Sequence, residues 1–526
     1  MLAFRCPHCG ADISYEPGQE SVKCQYCESV INIEEYENSL SKEGYYTTNE
    51  LSCTQCGAVI YSTDTTMATF CSYCGSSVLL RNRIVKEKKP EYIIPFSVKK
   101  EKAAEIYKDR IDRILLAPKW MDEEGKIENF RGIYMPFHLL KYSAHGNYSG
   151  EGTESTIITE KKKKYDVVRK YAITNAPVDI DYDFIPVDAS SSFPDSISRA
   201  ICPYTKSKLK EFKESYLAGF YADSSDVPPE LYTEKYEAMV KRDIASKSDV
   251  MVKKAAISTA DIANQVQLTA ESHSSLLPVW FLSYRNKKRI NYAAINGETG
   301  ELVADVPIDF KKYLAVSLVI AAFFSIILNI FFTINPHKFL VLATFVAFAA
   351  FCVANSLLND TYRRLMHYDD AGYLGRNADK VKEKHYHKKK SHLFLWIFVF
   401  CTGFGVLTVL SEEFLWMSFA AVLYIPVGVI LLIVSVLRNQ GRTGGVIREK
   451  KAPFVRKLLT LIKPMLAMIL ALYVGYTETV NDMVYYTAGI FSIIMIILTA
   501  FDVVRIQNRF TMRDIPLFTE RRGGDM

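Results

Sequence analysis

Eight cysteines carry the clearest chemistry in the chain. Cys6, Cys9, Cys24 and Cys27 read C-x2-C-x14-C-x2-C, and Cys53, Cys56, Cys71 and Cys74 repeat that spacing 47 residues later. Two CxxC pairs bring four thiolates to one cation at tetrahedral spacing, and a soft four-sulfur set suits zinc. With all four positions held by cysteine, none is open for water or substrate, so the expected cofactor is one structural Zn2+ per ribbon. A unit this small is below the size at which an apolar core suffices, so the metal is expected to supply most of its folding energy. Gly10, Gly57 and Gly75 follow their CxxC pairs, where a positive φ lets backbone N–H groups turn toward sulfur. Glu28 stands at the fourth such place, where a side chain costs about 1 kcal/mol.

The remaining three of the eleven cysteines, Cys202, Cys352 and Cys401, are isolated, which is metal-site usage and not a disulfide framework. Met1 to Phe4 leads into the first knuckle without an apolar run, so no leader is expected and the ribbons should face the cytosol. The net charge of +6 suggests nucleic acid only until it is divided by segment. Residues 1–80 hold three Lys and Arg against ten Asp and Glu, a balance of −7, and each Zn2+ with four thiolates adds about −2. Such a surface repels phosphate, so no nucleic-acid partner is expected and a protein partner is.

The elements that must hold these cysteines follow from periodicity. Ribbons are predicted over 1–36 and 51–80, each a hairpin and knuckle written twice, with a polar linker at 37–50. A cytosolic α+β region is predicted over 90–310. Its helices place Ala103, Tyr107, Ile111 and Ile114 on one face; Leu209, Phe212 and Tyr216 on another; and Tyr232, Tyr236, Met239 and Val240 after Pro228 and Pro229. Strands are predicted over Ile133–Tyr148 and Asp166–Ile185, and a β-meander closes the region from Leu277 to Val306.

Hydropathy then predicts an all-α membrane domain over 313–501 with six transmembrane helices, at 313–334, 339–358, 393–410, 414–437, 458–476 and 483–501. A basic tail follows at 502–526. Lys463 and Pro464 interrupt the fifth span, where the lysine is expected to snorkel. Lys and Arg number 21 in the loops and tail on one side and one on the other, which puts both termini in the cytosol of a multi-pass inner-membrane protein. The basic loops read as topology signals, and His385, His387 and His392 sit among like charges unsuited to a cation.

No catalytic motif stands in the middle region: there is no G-x-S-x-G, H-E-x-x-H or P-loop. His138 and His145, or Asp179, Asp181 and Asp183, make a site only on paper, so no catalytic and no organic-cofactor residues are assigned. The chain resembles the bacterial membrane proteins described as TFIIB-type zinc-ribbon-containing. The likeness rests on the paired knuckles and on "IIPFSVKKEKA", "GIYMPFHLL", "YLAGFYAD" and "LPVWFLSYRNKKRINYAAINGETGELVADVPI". Some relatives bear the name of a replication-restart helicase, yet the P-loop that enzyme needs is missing here. Others look like membrane anchors for envelope-stress proteins of the phage-shock or flotillin type. The expectation is a scaffold anchored in the lipid bilayer that docks a cytosolic protein; the alternatives are a transporter or membrane enzyme with a regulatory ribbon, and a membrane-tethered nucleic-acid-binding protein.

Overall fold

Short runs in which alternate residues are apolar open the chain, and they fold as antiparallel strands β1 (Ile13–Tyr15), β2 (Ser21–Cys24) and β3 (Val30–Asn32). Ile13, Tyr15, Val22 and Ile31 share the inward face and are buried. Helix α1 (Ile33–Glu37) follows, its Ile33 and Tyr36 packed on the same core. This three-stranded sheet belongs to the first ribbon alone. The computed structural model describes residues 6–24, 26–37, 44–62, 71–76, 81–122, 129–160, 163–193, 195–248, 265–286, 289–331, 336–365, 452–477 and 481–514.

The second ribbon has no sheet of its own. Its strands β4 (Tyr45–Ser52), β5 (Val59–Ser62) and β6 (Arg81–Lys88) form one end of a twelve-stranded sheet. The strand therefore begins inside the stretch 37–50, where a linker was expected, because Tyr46 and Leu51 have the body to pack on. Next come β7 (Tyr92–Ile93) and α2 (Lys100–Asp112), which buries Ala103, Tyr107 and Ile111 at helical spacing. Two long strands, β8 (Arg131–Glu160) and β9 (Lys163–Asp188), pair antiparallel along most of their length. After α3 (Asp195–Ala200) the predicted helix around Leu209, Phe212 and Tyr216 is replaced by two 3-10 turns flanking β10 (Lys210–Glu211). Lys210 and Glu211 pair with Ile93 and Tyr92, and that ladder wins over helical spacing.

Strand β11 (Tyr221–Asp223) joins the second ribbon to the body, pairing parallel with β8 and antiparallel with β5. Helix α4 (Glu230–Ser248) covers β8 and β9 through Tyr232, Val240 and Ile244. The sheet is completed by β12 (Val266–Asn286), β13 (Arg289–Asn296) and β14 (Leu302–Ala304), an antiparallel meander.

The C-terminal part is helical: α5 (Phe310–Phe331), α6 (Pro336–Leu365), α7 (Ala452–Tyr476) and α8 (Asp482–Thr511). The expectation of six transmembrane helices is overturned. Among the described residues two helices are long and apolar enough to cross a membrane, Lys457–Gly475 and Asp482–Arg509. The segment expected at 313–334 lies largely in α5, and the one at 339–358 is apolar only over Leu342–Leu358, a shorter helix. Seventeen residues rise about 26 Å, less than the roughly 30 Å of hydrocarbon. Ala347, Phe348 and Phe351 of that stretch are buried against α7 and α8, so its apolarity serves helix packing. The spans expected at 393–410 and 414–437 lie outside the described residues, as do His385, His387 and His392.

The sheet and the last helix are joined by hydrogen bonds. The Asn508 side chain accepts from the Ile308 amide at 2.7 Å and donates to the Ile308 carbonyl at 2.7 Å. Immediately after α8, strand β15 (Arg513–Asp514) pairs with Ile290 and Arg289 of β13. Arg289 also donates to the carbonyls of Arg509 and, at 2.9 Å, Met512.

Candidate metal centres

Each knuckle is a turn closed by its own backbone. The amides of Cys6, Cys24, Cys53 and Cys71 donate to the carbonyls of Ala11, Ser29, Ala58 and Ser76 at 2.8, 2.9, 2.8 and 2.9 Å. The amides of Gly10, Gly57 and Gly75 return to the carbonyls of Cys6, Cys53 and Cys71 at 2.8, 2.8 and 2.9 Å. That return needs a left-handed residue, and Gly10, Gly57 and Gly75 have φ of 75°, 72° and 62°. Glu28 adopts the same conformation at φ 58°, so the fourth knuckle keeps its shape despite the missing glycine.

The eight predicted ligands are brought together as two groups of four, with the sulfurs of each group all within 4.8 Å of one another. In the first group the Sγ atoms of Cys6 and Cys27 are 3.6 Å apart and those of Cys9 and Cys24 are 3.5 Å apart. In the second, Cys53 and Cys74 are 3.8 Å apart and Cys56 and Cys71 are 3.7 Å apart. Four sulfurs placed tetrahedrally at about 2.3 Å from a zinc ion are separated by about 3.8 Å, so both groups can hold a metal ion. A disulfide would need sulfurs at about 2 Å. Four thiols this close share protons unevenly. Cys27 is held down to about 6, first by the Ser29 hydroxyl, whereas contact with neighbouring sulfurs pushes Cys71 far up. A bound cation would remove that competition by taking all four as thiolates.

The two groups differ in their surroundings. Cys6 and Cys24 are buried while Cys9 and Cys27 are exposed; all four cysteines of the second group are buried. The first ribbon docks by its base. The Tyr15 amide donates to the Ala218 carbonyl at 3.0 Å, and its ring meets Tyr216 edge-on at 5.3 Å. Acidic side chains at this base face lysines of the body: Glu16 with Lys99, Glu20 with Lys210 and Glu34 with Lys213. Its knuckle tip points away, leaving Tyr26 82% and Val30 64% exposed.

The second ribbon docks by its knuckle. Tyr73, between Cys71 and Cys74, has no exposed surface; its ring lies 5.7 Å from that of Phe281, and its carbonyl accepts from the Tyr292 hydroxyl at 2.8 Å. The Tyr73 hydroxyl reaches the Met135 sulfur at 3.8 Å and interacts with Asp223, which burial pushes up to about 6. Asp223 accepts from the Ser190 hydroxyl, and next to it Asp226 accepts from the Ser191 amide at 2.7 Å. Sequence reading missed this buried network. The run Asp188-Ala-Ser-Ser-Ser192 was its only local signal, and its partners lie more than thirty positions on.

Of the other residues considered in the sequence, His145 meets Asp179 and Asp181, while His138 and Asp183 have other partners. His138 is buried and donates to the Val227 carbonyl at 2.7 Å, and burial lowers its pKa. His145 pairs across the strands with Asp179 at 2.7 Å at an exposed position, and Asp183 is bound by Lys206, which holds its carboxyl down. In the helix bundle the Lys463 ammonium donates to Asp502 of α8.

A protein of Bacillus subtilis (strain 168) described as "Uncharacterized protein YdjG" is 27% identical over 331 residues, which is 60% of this chain and 93% of that protein. No family model matches the chain. No solved structure matches it.

Proposed function

We propose that this chain is a membrane-anchored zinc-ribbon scaffold that docks a protein in the cytosol, in line with its resemblance to the TFIIB-type zinc-ribbon membrane proteins. One observation carries the reading: of two knuckles with the same ligand spacing, one is packed into the body, whose sheet is hydrogen-bonded to the segment that follows a membrane-length helix, and the other is held out at the surface. Zinc fits both sulfur sets as a structural ion, since neither offers a position for substrate. A reducing compartment suits eight thiolates, which supports a cytosolic location for the ribbons, as does the Lys and Arg bias of the C-terminal half. Lys463 and Asp502 neutralise each other and latch α7 to α8, as suits an anchor.

The test uses the exposed ribbon, because loss of a ligand in the second would disturb the core. Cells expressing the intact chain or the double variant Cys9→Ser, Cys27→Ser are treated with a lysine-reactive crosslinker, and the co-purifying proteins are compared. The intact chain is expected to recover a protein that the variant loses while remaining in the membrane with one zinc ion. Recovery of the same proteins by both sinks the reading.

A further inference from the structure

The internal repeat shows what this kind of knuckle binds. Adding 47 carries Tyr26 onto Tyr73, Glu28 onto Gly75 and His8 onto Gln55. In the second ribbon all three places are in contact with the body of the protein. Tyr73 fills an aromatic pocket beside Phe281 and Tyr292, and Gln55 accepts from the Arg285 guanidinium at 3.2 Å. Gly75 lies so close to Arg285 that a Cβ built on the glycine would stand 3.2 Å from the arginine Cβ. In the first ribbon the same three places are exposed. Glu28 keeps a left-handed backbone that a glycine would adopt without strain. A carboxylate therefore stands at the place against which, in the repeat, the body sets an arginine.

We propose, building on the docking function above, that Tyr26 and Glu28 form the docking contact. Its occupant is a folded protein presenting an aromatic-lined pocket for Tyr26 and, beside it, an arginine or lysine for Glu28. Tyrosine suits such an anchor, since its ring contributes contact area and its hydroxyl a hydrogen bond. The glutamate selects by charge, as like charges face to face are strongly unfavourable. The second ribbon is the same contact made permanent within one chain.

The test places the photoreactive tyrosine analogue p-benzoylphenylalanine at position 26 of the full chain in the membranes of cells that express it. Leu115, 70% exposed on another part of the body, carries the same group as a control. Mass spectrometry of the crosslinked peptide is expected to identify, from position 26 only, a different protein whose captured segment holds aromatic residues and an Arg or Lys. Glu28→Lys is expected to lower the yield roughly tenfold and Glu28→Asp to retain most of it, with two metal ions per chain in each variant. Equal capture from Leu115, capture of a second copy of this chain, an acidic captured segment, or a yield unchanged by Glu28→Lys each overturns the proposal. If the lysine-reactive crosslinker still recovers a protein dependent on Cys9 and Cys27 while position 26 captures none, docking stands and this contact falls. If neither recovers a protein, both fall.

Discussion

The two ribbons share a ligand set, a knuckle geometry and a spacing, and they differ in what touches them. The first builds a three-stranded sheet, rests on the body by Tyr15 and presents its knuckle to solvent. The second gives its strands to the main sheet and presses its knuckle onto β12 and β13. A repeated four-cysteine unit can thus serve as a corner of the core in one copy and as an exposed head in the other. The difference lies in the sheets the two copies join and in what packs on their knuckle tips, while the four-cysteine set is the same in both.

The largest expected effect tests that division at the ligands. Cys71→Ser removes a sulfur from the middle of the core, and a structural zinc site is worth about 10 kcal/mol or more, comparable with the whole stability of a domain. The soluble region is expected to lose its cooperative unfolding transition and the slow amide exchange of β12 and β13. Cys27→Ser is expected to release one metal ion and leave both signals in place. Should the two variants unfold alike, the ribbons are not energetically separate. A smaller effect distinguishes the tyrosines. Tyr73→Ala is expected to cost about 3–5 kcal/mol, as for other buried aromatic truncations, and Tyr26→Ala less than about 0.5 kcal/mol. Denaturant midpoints measure both.

How much of this the sequence disclosed depends on range. The ligands and their grouping were legible because spacing within a knuckle is local, and helix α2 was legible because Ala103, Tyr107 and Ile111 repeat at its period. The fusion of the second ribbon was not. Tyr73 is buried by Phe281 and Tyr292, some two hundred residues on, and no periodicity around Tyr73 records them. The same holds for Lys463 and Asp502, thirty-nine residues apart, and for α6, where hydropathy alone does not separate lipid-facing from helix-facing apolar residues. One local clue did exist: of the four knuckle positions that call for glycine, only the exposed tip at residue 28 carries a side chain.

That clue yields the finest test, an exchange of the two residues. Gly75→Glu imposes left-handed strain of about 1 kcal/mol and sets a Cβ at 3.2 Å from the Arg285 Cβ, where overpacking adds about 1–3 kcal/mol. A loss of about 2–4 kcal/mol is expected in urea unfolding, and Gly75→Ala is expected to show most of it, because strain and contact both begin at Cβ. Glu28→Gly relieves the same strain with nothing packed against it. The greater freedom of glycine in the unfolded chain takes back about 0.5–1 kcal/mol, so its net effect is expected to stay within about 0.5 kcal/mol of zero. Equal costs for the two substitutions would mean that backbone conformation alone governs both sites, and that the press of β12 against the second knuckle contributes nothing. A large loss from Gly75→Glu beside a near-zero change from Glu28→Gly would leave the carboxylate at position 28 without a role in folding, as expected of a residue that acts on something outside the chain.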